Sequence, residues 1–136
     1  MSDLTHIGPD GRARMVDVGE KSITQREAVA HGFVQMSGDA FQRAIGRDTK
    51  KGDPIAIAEL AGIMAAKKTA DIIPLCHPLA LTSVKVDIVE ADAANTFQIT
   101  ARVKTTGQTG VEMEALTAVS GACLTLYDML KAVDKS

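Results

Sequence analysis

The sequence predicts an α+β fold in which helices pack on one face of an antiparallel sheet. Two adjacent segments in the second half alternate apolar and polar residues, as strands do, and two long segments carry the apolar spacing and capping residues of helices. Hydrophobic residues make up 46% of the 136 residues and charged residues 24%, which is typical of one globular domain. We therefore expect a single domain over residues 1–136.

The first third of the chain is predicted to hold one strand and two helices. A turn over 8–11 precedes a short extended segment over 13–18. From Thr24 to about Gly38 the pattern is helical, and the apolar residues of this helix are Ala28, Val29, Phe33 and Met36. A second short helix is expected over 39–45, before a basic loop.

The remaining elements have clearer signals. Asp53 followed by Pro54 is a strong helix start, and this helix ends at Lys67 and Lys68, where cations suit the helix dipole. Residues 84–88 and 97–104 alternate as strands, and the polar link 92–95 predicts a hairpin. A final helix runs from Glu114 to about Val133. The order matches a split βαβ plait whose closing strand is missing.

The composition of the chain argues against several classes of function. Aromatic residues are 3%, tryptophan is absent and the net charge is −2, so neither base stacking nor nonspecific nucleic-acid binding is expected. Residues 1–9 contain no apolar core of signal length, so we expect no secretory leader, and the sequence contains no apolar run of membrane-spanning length. Cys76 and Cys123 lie far apart and are expected to be free thiols. We therefore expect a cytoplasmic protein that contacts no membrane.

The final helix is apolar almost all round, which predicts a buried helix. One narrow stripe of the helix is not apolar, and its residues recur at steps of three or four. Small residues come first along the stripe and charged residues last: Thr117, Gly121, Thr125, Asp128, Lys131 and Lys135. Two interpretations of this stripe stay open. It is either a small-residue packing seam capped by a surface ion pair, or a functional charge cluster at the rim of a packed region.

Two carboxylates precede this helix. If residues 111–114 are extended, Glu112 and Glu114 point to one side and Met113 to the other. A positioned carboxylate accepts both hydrogen bonds that the edge of a guanine base donates. Alternatively, one glutamate favours the helix N-terminus and the other is solvated.

Cations suited to phosphate are Arg26, Lys50, Lys51, Lys67 and Lys68. The loop between Gly46 and Gly52 is flexible and basic, but it lacks the P-loop pattern. Its lysines are either ordinary solvated side chains or ligands of a phosphate.

The stretch IIPLCHPL, residues 72–79, holds Cys76 and His77 between two prolines. A zinc site is disfavoured because adjacent residues do not easily share one tetrahedral ion and no second ligand pair has suitable spacing. Cys76 is expected to be a small buried apolar residue. His77 is the better candidate, because the prolines hold the segment extended and imidazole can donate to a ligand.

Several of these segments together resemble the MoaC family, the cyclic pyranopterin monophosphate synthases of molybdenum cofactor biosynthesis. The resemblance covers almost the whole chain and rests on MVDVG at 15–19, KKGD at 50–53, AGIMAAKKTADIIPLCHPLAL at 61–81, TGQTGVEMEALTAVS at 106–120 and LYDMLKAVDK at 126–135. It implies a ferredoxin-like plait assembled as a homohexamer, a trimer of dimers, with active sites at subunit interfaces. It also implies that family members continue into a glycine- and lysine-containing tail, and we expect the domain over residues 1–136 to lack that tail.

The resemblance implies a substrate derived from GTP, a 3′,8-cyclised dihydroguanosine triphosphate, and no metal or other cofactor. Asp128 would be catalytic, with Lys51 and Lys131 as general acid and base or as phosphate ligands. The substrate-binding residues would be Leu75, Cys76, His77, Met113, Glu114, Glu112, Arg26 and Lys67. We expect Asp128 and Lys131 to act together across one pocket from His77. A non-enzymatic regulatory module that binds a small ligand is the alternative, since folds host many functions.

Overall fold

The computed structural model describes residues 24–133, which form one three-stranded sheet and four helices. The elements are β1 (Thr24–Gln35), α1 (Gly38–Gly46), α2 (Pro54–Lys67), α3 (Thr69–Ile72), β2 (Leu81–Glu90), β3 (Thr96–Gly107) and α4 (Glu112–Leu130). The sheet order is β1-β3-β2, and β3 is antiparallel to both neighbours. This is the split βαβ arrangement, so the predicted ferredoxin-like α+β fold is confirmed.

Residues 24–35 form a strand, so the helix predicted there is wrong. The side chains alternate: Ala28 and Ala30 face the core, whereas Val29 and Phe33 are exposed on the outer face of the sheet. Because both faces carry apolar residues, the alternation is weak, and the four-residue spacing of Val29 and Phe33 imitated a helix. The turn expected over 8–11 and the strand expected over 13–18 lie outside the described residues.

The other predicted elements are present, and their caps are the expected ones. The Asp53 carboxylate accepts hydrogen bonds from the backbone N–H groups of Ile55 (3.0 Å) and Ala56 (3.1 Å) at the start of α2. The predicted hairpin joins β2 and β3, with Asn95 in the left-handed region at φ 55°. The four-residue helix α3 was not predicted. None of the helices within residues 24–133 is long and apolar enough to cross a membrane.

Helices α2 and α4 pack side by side on one face of the sheet. The core between the layers is aliphatic, with Ile99, Val103 and Leu126 fully buried, and its single aromatic contact joins the rings of Phe41 and Phe97 at 4.6 Å. Along their length the two helices meet through small residues. This close contact fixes α4, whose two ends carry the predicted site residues.

Replacing Gly121 by alanine should destabilise the fold. A Cβ there would lie 2.7 Å from the Ala65 Cβ of α2, and neither carbon can rotate away. We expect the free energy of unfolding in urea to fall by about 1–2 kcal/mol, because overpacking outweighs the helix propensity that alanine adds. Gly46→Ala is the control, since a Cβ at that position meets nothing within 4 Å. Equal midpoints for the two variants would contradict this prediction.

Candidate active site

The predicted site residues lie at the two ends of α4. We call Leu75, Cys76, His77, Glu112, Met113 and Glu114 the N-terminal cluster, since they surround the first turn of the helix. We call Lys51, Asp128 and Lys131 the C-terminal cluster. At 1.5 Å per residue, Glu114 and Asp128 are about 21 Å apart along the helix axis. Within one protomer, therefore, the expectation that Asp128 and Lys131 face His77 across one pocket is not met.

The N-terminal cluster lines a cavity of about 120 Å³. The segment from Leu75 to Leu79 follows α3 and is held at its start by a hydrogen bond from the Cys76 N–H to the Ile73 carbonyl, 3.1 Å. Thr109 and Gly110, which precede α4, form the opposite wall. Neither was predicted individually, although both lie in the TGQTG string that precedes the two glutamates.

Lys67 belongs to the same end of the molecule. It lines an adjoining cavity of about 100 Å³ that shares His77 and Glu114 with the first one. A lysine, an imidazole and a carboxylate are thus within one small region, as the predicted binding roles of these three residues require. The last turn of α2 and the first turn of α4 position them together.

The extended conformation considered for residues 111–114 is wrong, because α4 begins at Glu112. In a helix, residues two apart point in nearly opposite directions. Glu112 is consequently exposed, whereas Glu114 is only 5% exposed. Both nevertheless line the 120 Å³ cavity. The role of these carboxylates in base recognition stays a prediction.

Burial raises the pKa of Glu114 above its ordinary value. A hydrogen bond from the backbone offsets part of this rise, and the nearby charge of Glu112 adds to it. Burial also raises the pKa of the Cys76 thiol, with a smaller contribution from the charge of Glu114. Cys76 therefore remains a thiol rather than a nucleophilic thiolate. It is half-buried at the wall of the cavity, so the expectation of a fully buried residue is not met. A glutamate with a raised pKa holds its proton to a higher pH than a solvated glutamate does.

Glu114→Gln should stabilise the protein at neutral pH but not in acid. Because the folded pKa of Glu114 lies above its unfolded value, the wild-type chain loses stability as the pH rises through the folded pKa. The glutamine variant has no such loss. We expect its melting temperature to exceed that of the wild type at pH 7, and the difference to shrink as the pH falls below about 4. Glu90→Gln, at an exposed strand end, is the control; a pH-independent difference for Glu114→Gln would refute the burial argument.

The C-terminal cluster is a carboxylate held between two lysines. The Asp128 Oδ1 accepts from Lys131 Nζ at 2.8 Å, and Lys51 Nζ donates to Asp128 Oδ2 at 3.4 Å and to the Asp128 carbonyl at 3.1 Å. The hydrogen bond from Lys131, then that from Lys51, lowers the pKa of Asp128, and the Asp128 contact raises the pKa of Lys131. Asp128 is thus held ionised and Lys131 protonated.

The stripe along α4 combines the two interpretations considered from the sequence. Its middle is a packing seam, where Gly121 contacts Ala65 of α2. Its end is the exposed ion pair of Asp128 and Lys131, joined by Lys51 from the loop between α1 and α2. Surface ion pairs contribute little to stability. The presence of a second lysine on the same carboxylate favours a role in binding or proton transfer.

Arg26 lines neither of the two cavities at the N-terminal cluster. It lies on β1 opposite Thr105, whose hydroxyl donates to the Ala80 carbonyl at 2.6 Å, so it is at the end of the sheet that leads into this cluster. Within the described part of the chain its Nε–H is buried without a hydrogen-bond partner. Such a donor is costly to leave unsatisfied.

The helix α4 is less buried than its sequence predicts. Leu116, Leu124 and Tyr127 are 50%, 71% and 49% exposed in the single chain. Both cysteines are free thiols, as expected. In residues 24–133 no group of three or more His, Cys, Asp or Glu side chains is arranged to hold a metal ion.

Comparison with known proteins identifies the family. Residues 15–136 match the model of the MoaC family. The chain is 61% identical over 135 residues to a cyclic pyranopterin monophosphate synthase of Roseiflexus sp. (strain RS-1), covering 99% of this chain and 85% of that protein. It is 58% identical over 136 residues to the synthase of the same name from Heliobacterium modesticaldum, covering all of this chain and 86% of that protein. The match extends through both clusters, and the chain therefore belongs to the MoaC family.

Proposed function

We propose that this chain is a cyclic pyranopterin monophosphate synthase, a lyase of molybdenum cofactor biosynthesis. Its substrate is (8S)-3′,8-cyclo-7,8-dihydroguanosine 5′-triphosphate, which it rearranges to cyclic pyranopterin monophosphate with release of diphosphate. The relatives that bear this name match nearly the whole chain, including both clusters. A cytoplasmic location is part of the proposal, and the two free thiols support it.

The observation that carries the proposal of an active site shared between two protomers is the pattern of exposed residues on α4. Met113, Leu116, Ser120, Leu124 and Tyr127 follow one another at steps of three or four and form one exposed stripe. The stripe is symmetric about Ser120, with Leu116 and Leu124 at equal distances from it and Met113 and Tyr127 farther out. A second copy of the chain related by a two-fold axis at Ser120 would bury the stripe against itself, as isologous interfaces do.

Such a pairing would join the two clusters that one protomer keeps apart. In an antiparallel pair centred on Ser120, Asp128 of the partner subunit lies level with Glu112, and Lys131 of the partner subunit lies level with Thr109. Glu112 and Thr109 both line the 120 Å³ cavity. Packed helices are about 8–10 Å apart, which a lysine side chain can span. We therefore propose an active site made of the N-terminal cluster of one protomer and the C-terminal cluster of its partner.

The assembly we propose is a homohexamer built as a trimer of dimers. A single two-fold interface produces only dimers, so a hexamer requires a second contact surface. The outer face of the sheet is uncovered in the single chain, and Phe33 and Val89 are 63% and 54% exposed there. These residues support a second contact, since large exposed apolar side chains often mark interfaces.

The proposed chemistry consists of proton transfers and phosphoryl transfer. A nitrogen heterocycle opens and closes again, and a sugar hydroxyl attacks the α-phosphate while diphosphate leaves. An ammonium beside a phosphate both stabilises developing charge and donates a proton, so Lys51 and Lys131 suit both tasks. Asp128 contacts both lysines and is held ionised, so it positions them or accepts a proton itself.

The N-terminal cluster is proposed to bind the base and sugar. Glu114, which is buried, accepts hydrogen bonds from the guanine-derived ring, and His77 donates to the ligand from its rigid segment. Leu75, Cys76 and Met113 supply apolar contacts. Lys67 and Arg26 add cationic donors from α2 and β1, and Glu112 adds a second carboxylate.

The test is incubation of the purified protein with the cyclised nucleotide, with diphosphate and the pterin product both measured. A synthase releases both in equal amounts, and the release depends on protein concentration. A regulatory module would bind the nucleotide and return it unchanged. Binding without either product would therefore overturn the proposed activity in favour of that alternative.

A further inference from the structure

Another cavity adjoins the C-terminal cluster and extends beyond it to residues that have no role in the proposed active site. It measures about 360 Å³ and lies between the end of α1, the loop before α2 and the end of α4. Three cations and one carboxylate are among its lining residues, which include Arg43, Lys50, Lys51 and Asp128. Met129, Ala132 and Val133 supply apolar surface to its lining.

Two of these cations have no counterion. Lys51 contacts Asp128, and Asp128 also contacts Lys131. Arg43 and Lys50, by contrast, form no ion pair within residues 24–133. Asp39 and Asp48 line a neighbouring depression with Arg43 but make no ion pair with it. The cavity therefore has an excess of positive charge, although Asp128 is present.

The loop that carries two of the cations is closed by its own hydrogen bonds. Thr49 and Gly52 exchange both backbone hydrogen bonds at 3.0 Å, and the Thr49 hydroxyl donates to the Gly52 carbonyl at 2.8 Å. Gly52 has φ +114°, a conformation that side chains rarely adopt. Lys50 and Lys51 are the central residues of this tight turn, so binding an anion there costs little loop ordering.

The position of the cavity matches the chemistry of the leaving group. If Lys51 and Asp128 act at the α-phosphate, the β- and γ-phosphates extend away from the sugar and need a cationic site next to Lys51. The 360 Å³ cavity begins at Lys51 and continues past it to Arg43 and Lys50. Released diphosphate carries about three negative charges near neutral pH. An arginine can bind a phosphate with two parallel hydrogen bonds, and lysines act as point charges.

We propose that this cavity is the diphosphate subsite, in which Arg43 and Lys50 bind the β- and γ-phosphates of the substrate and then the diphosphate product. The inference rests on the proposed synthase function for its substrate, but its ligand chemistry can be tested without turnover. Lys51 is shared between this subsite and the C-terminal cluster.

The experiment is calorimetric titration of the assembled protein with inorganic diphosphate and, separately, with inorganic phosphate. We expect diphosphate to bind more tightly than phosphate, and Arg43→Ala combined with Lys50→Ala to weaken diphosphate binding by about tenfold or more. Lys85→Ala is the control, because Lys85 lines neither this cavity nor the cavity of the N-terminal cluster, and it should leave binding unchanged. Arg43→Lys should retain part of the affinity.

Undiminished diphosphate binding by the Arg43→Ala/Lys50→Ala variant would overturn the subsite, as would a wild-type protein that does not bind diphosphate. The outcome of the synthase assay does not depend on the outcome of the diphosphate titration. A wild-type protein that binds diphosphate through these residues but forms no pterin would keep the subsite and refute the synthase. A protein that turns over normally with both residues replaced would keep the synthase and refute the subsite.

Discussion

A mixture of His77→Ala and Asp128→Asn protomers should regain activity that neither variant has alone. If each site takes His77 from one protomer and Asp128 from its partner, a mixed dimer contains one intact site and one doubly altered site. Random pairing of equal amounts makes half of the dimers mixed, so about a quarter of wild-type turnover should return. The two variants would be co-expressed with different tags and the mixed species assayed for diphosphate release.

The matched control is a mixture of His77→Ala and Glu114→Ala protomers. Both replacements lie in the N-terminal cluster, so every site in a mixed dimer carries one of them, and activity should stay low. Activity that does not return in the first mixture, despite confirmed mixed dimers, would show that His77 and Asp128 do not share a site between protomers. The N-terminal and C-terminal clusters would then belong to two different sites, each with its own function.

Lys131→Ala should lower kcat by at least about 10²-fold, the usual contribution of a positioned acid or base. The variant also removes the strongest contact of Asp128, so the pKa of Asp128 should rise toward its ordinary value. Asp128→Asn should cause a loss of similar size, because it releases both lysines. Steady-state kinetics measures the first effect, and carboxyl-carbon NMR across a pH titration measures the second.

Lys104→Ala is the control for Lys131→Ala. Lys104 pairs with Glu27 at 3.4 Å on the outer face of the sheet, so it tests the loss of a comparable exposed ion pair away from either cluster. It should change neither kcat nor the pKa of Asp128. Normal turnover by correctly folded Lys131→Ala would remove the catalytic role of Lys131, whatever the pKa result.

The fold could be predicted where one face of an element is polar. The strands β2 and β3 show clear alternation, because Lys85 and Asp87 on the outer face separate the buried Val86 and Ile88. The strand β1 has apolar residues on both faces, so its local pattern favoured a helix. Only its pairing with β3, a contact between residues distant in sequence, makes it a strand.

The site could be predicted only in parts. The resemblance to the MoaC family placed Leu75, Cys76 and His77 in one site with Glu114, and these residues do line one cavity. The pair of Asp128 and Lys131, three residues apart on one helix, followed from local geometry. The sequence did not show that Lys51 contacts Asp128, a pair 77 residues apart. It did place the glutamates at the start of the last helix and Asp128 with Lys131 at its end. The exposure of Leu124 on that helix was not expected, since the helix is apolar almost all round.

The length of α4 has an evolutionary consequence. The helix fixes both the distance and the angle between Glu114 and Asp128, and one inserted residue would move Asp128 by about 1.5 Å and rotate it by about 100°. An insertion in the β2–β3 turn at 92–95 changes neither. Natural variants of this chain should therefore tolerate length changes in that turn, whereas insertions or deletions inside α4 should be eliminated by selection.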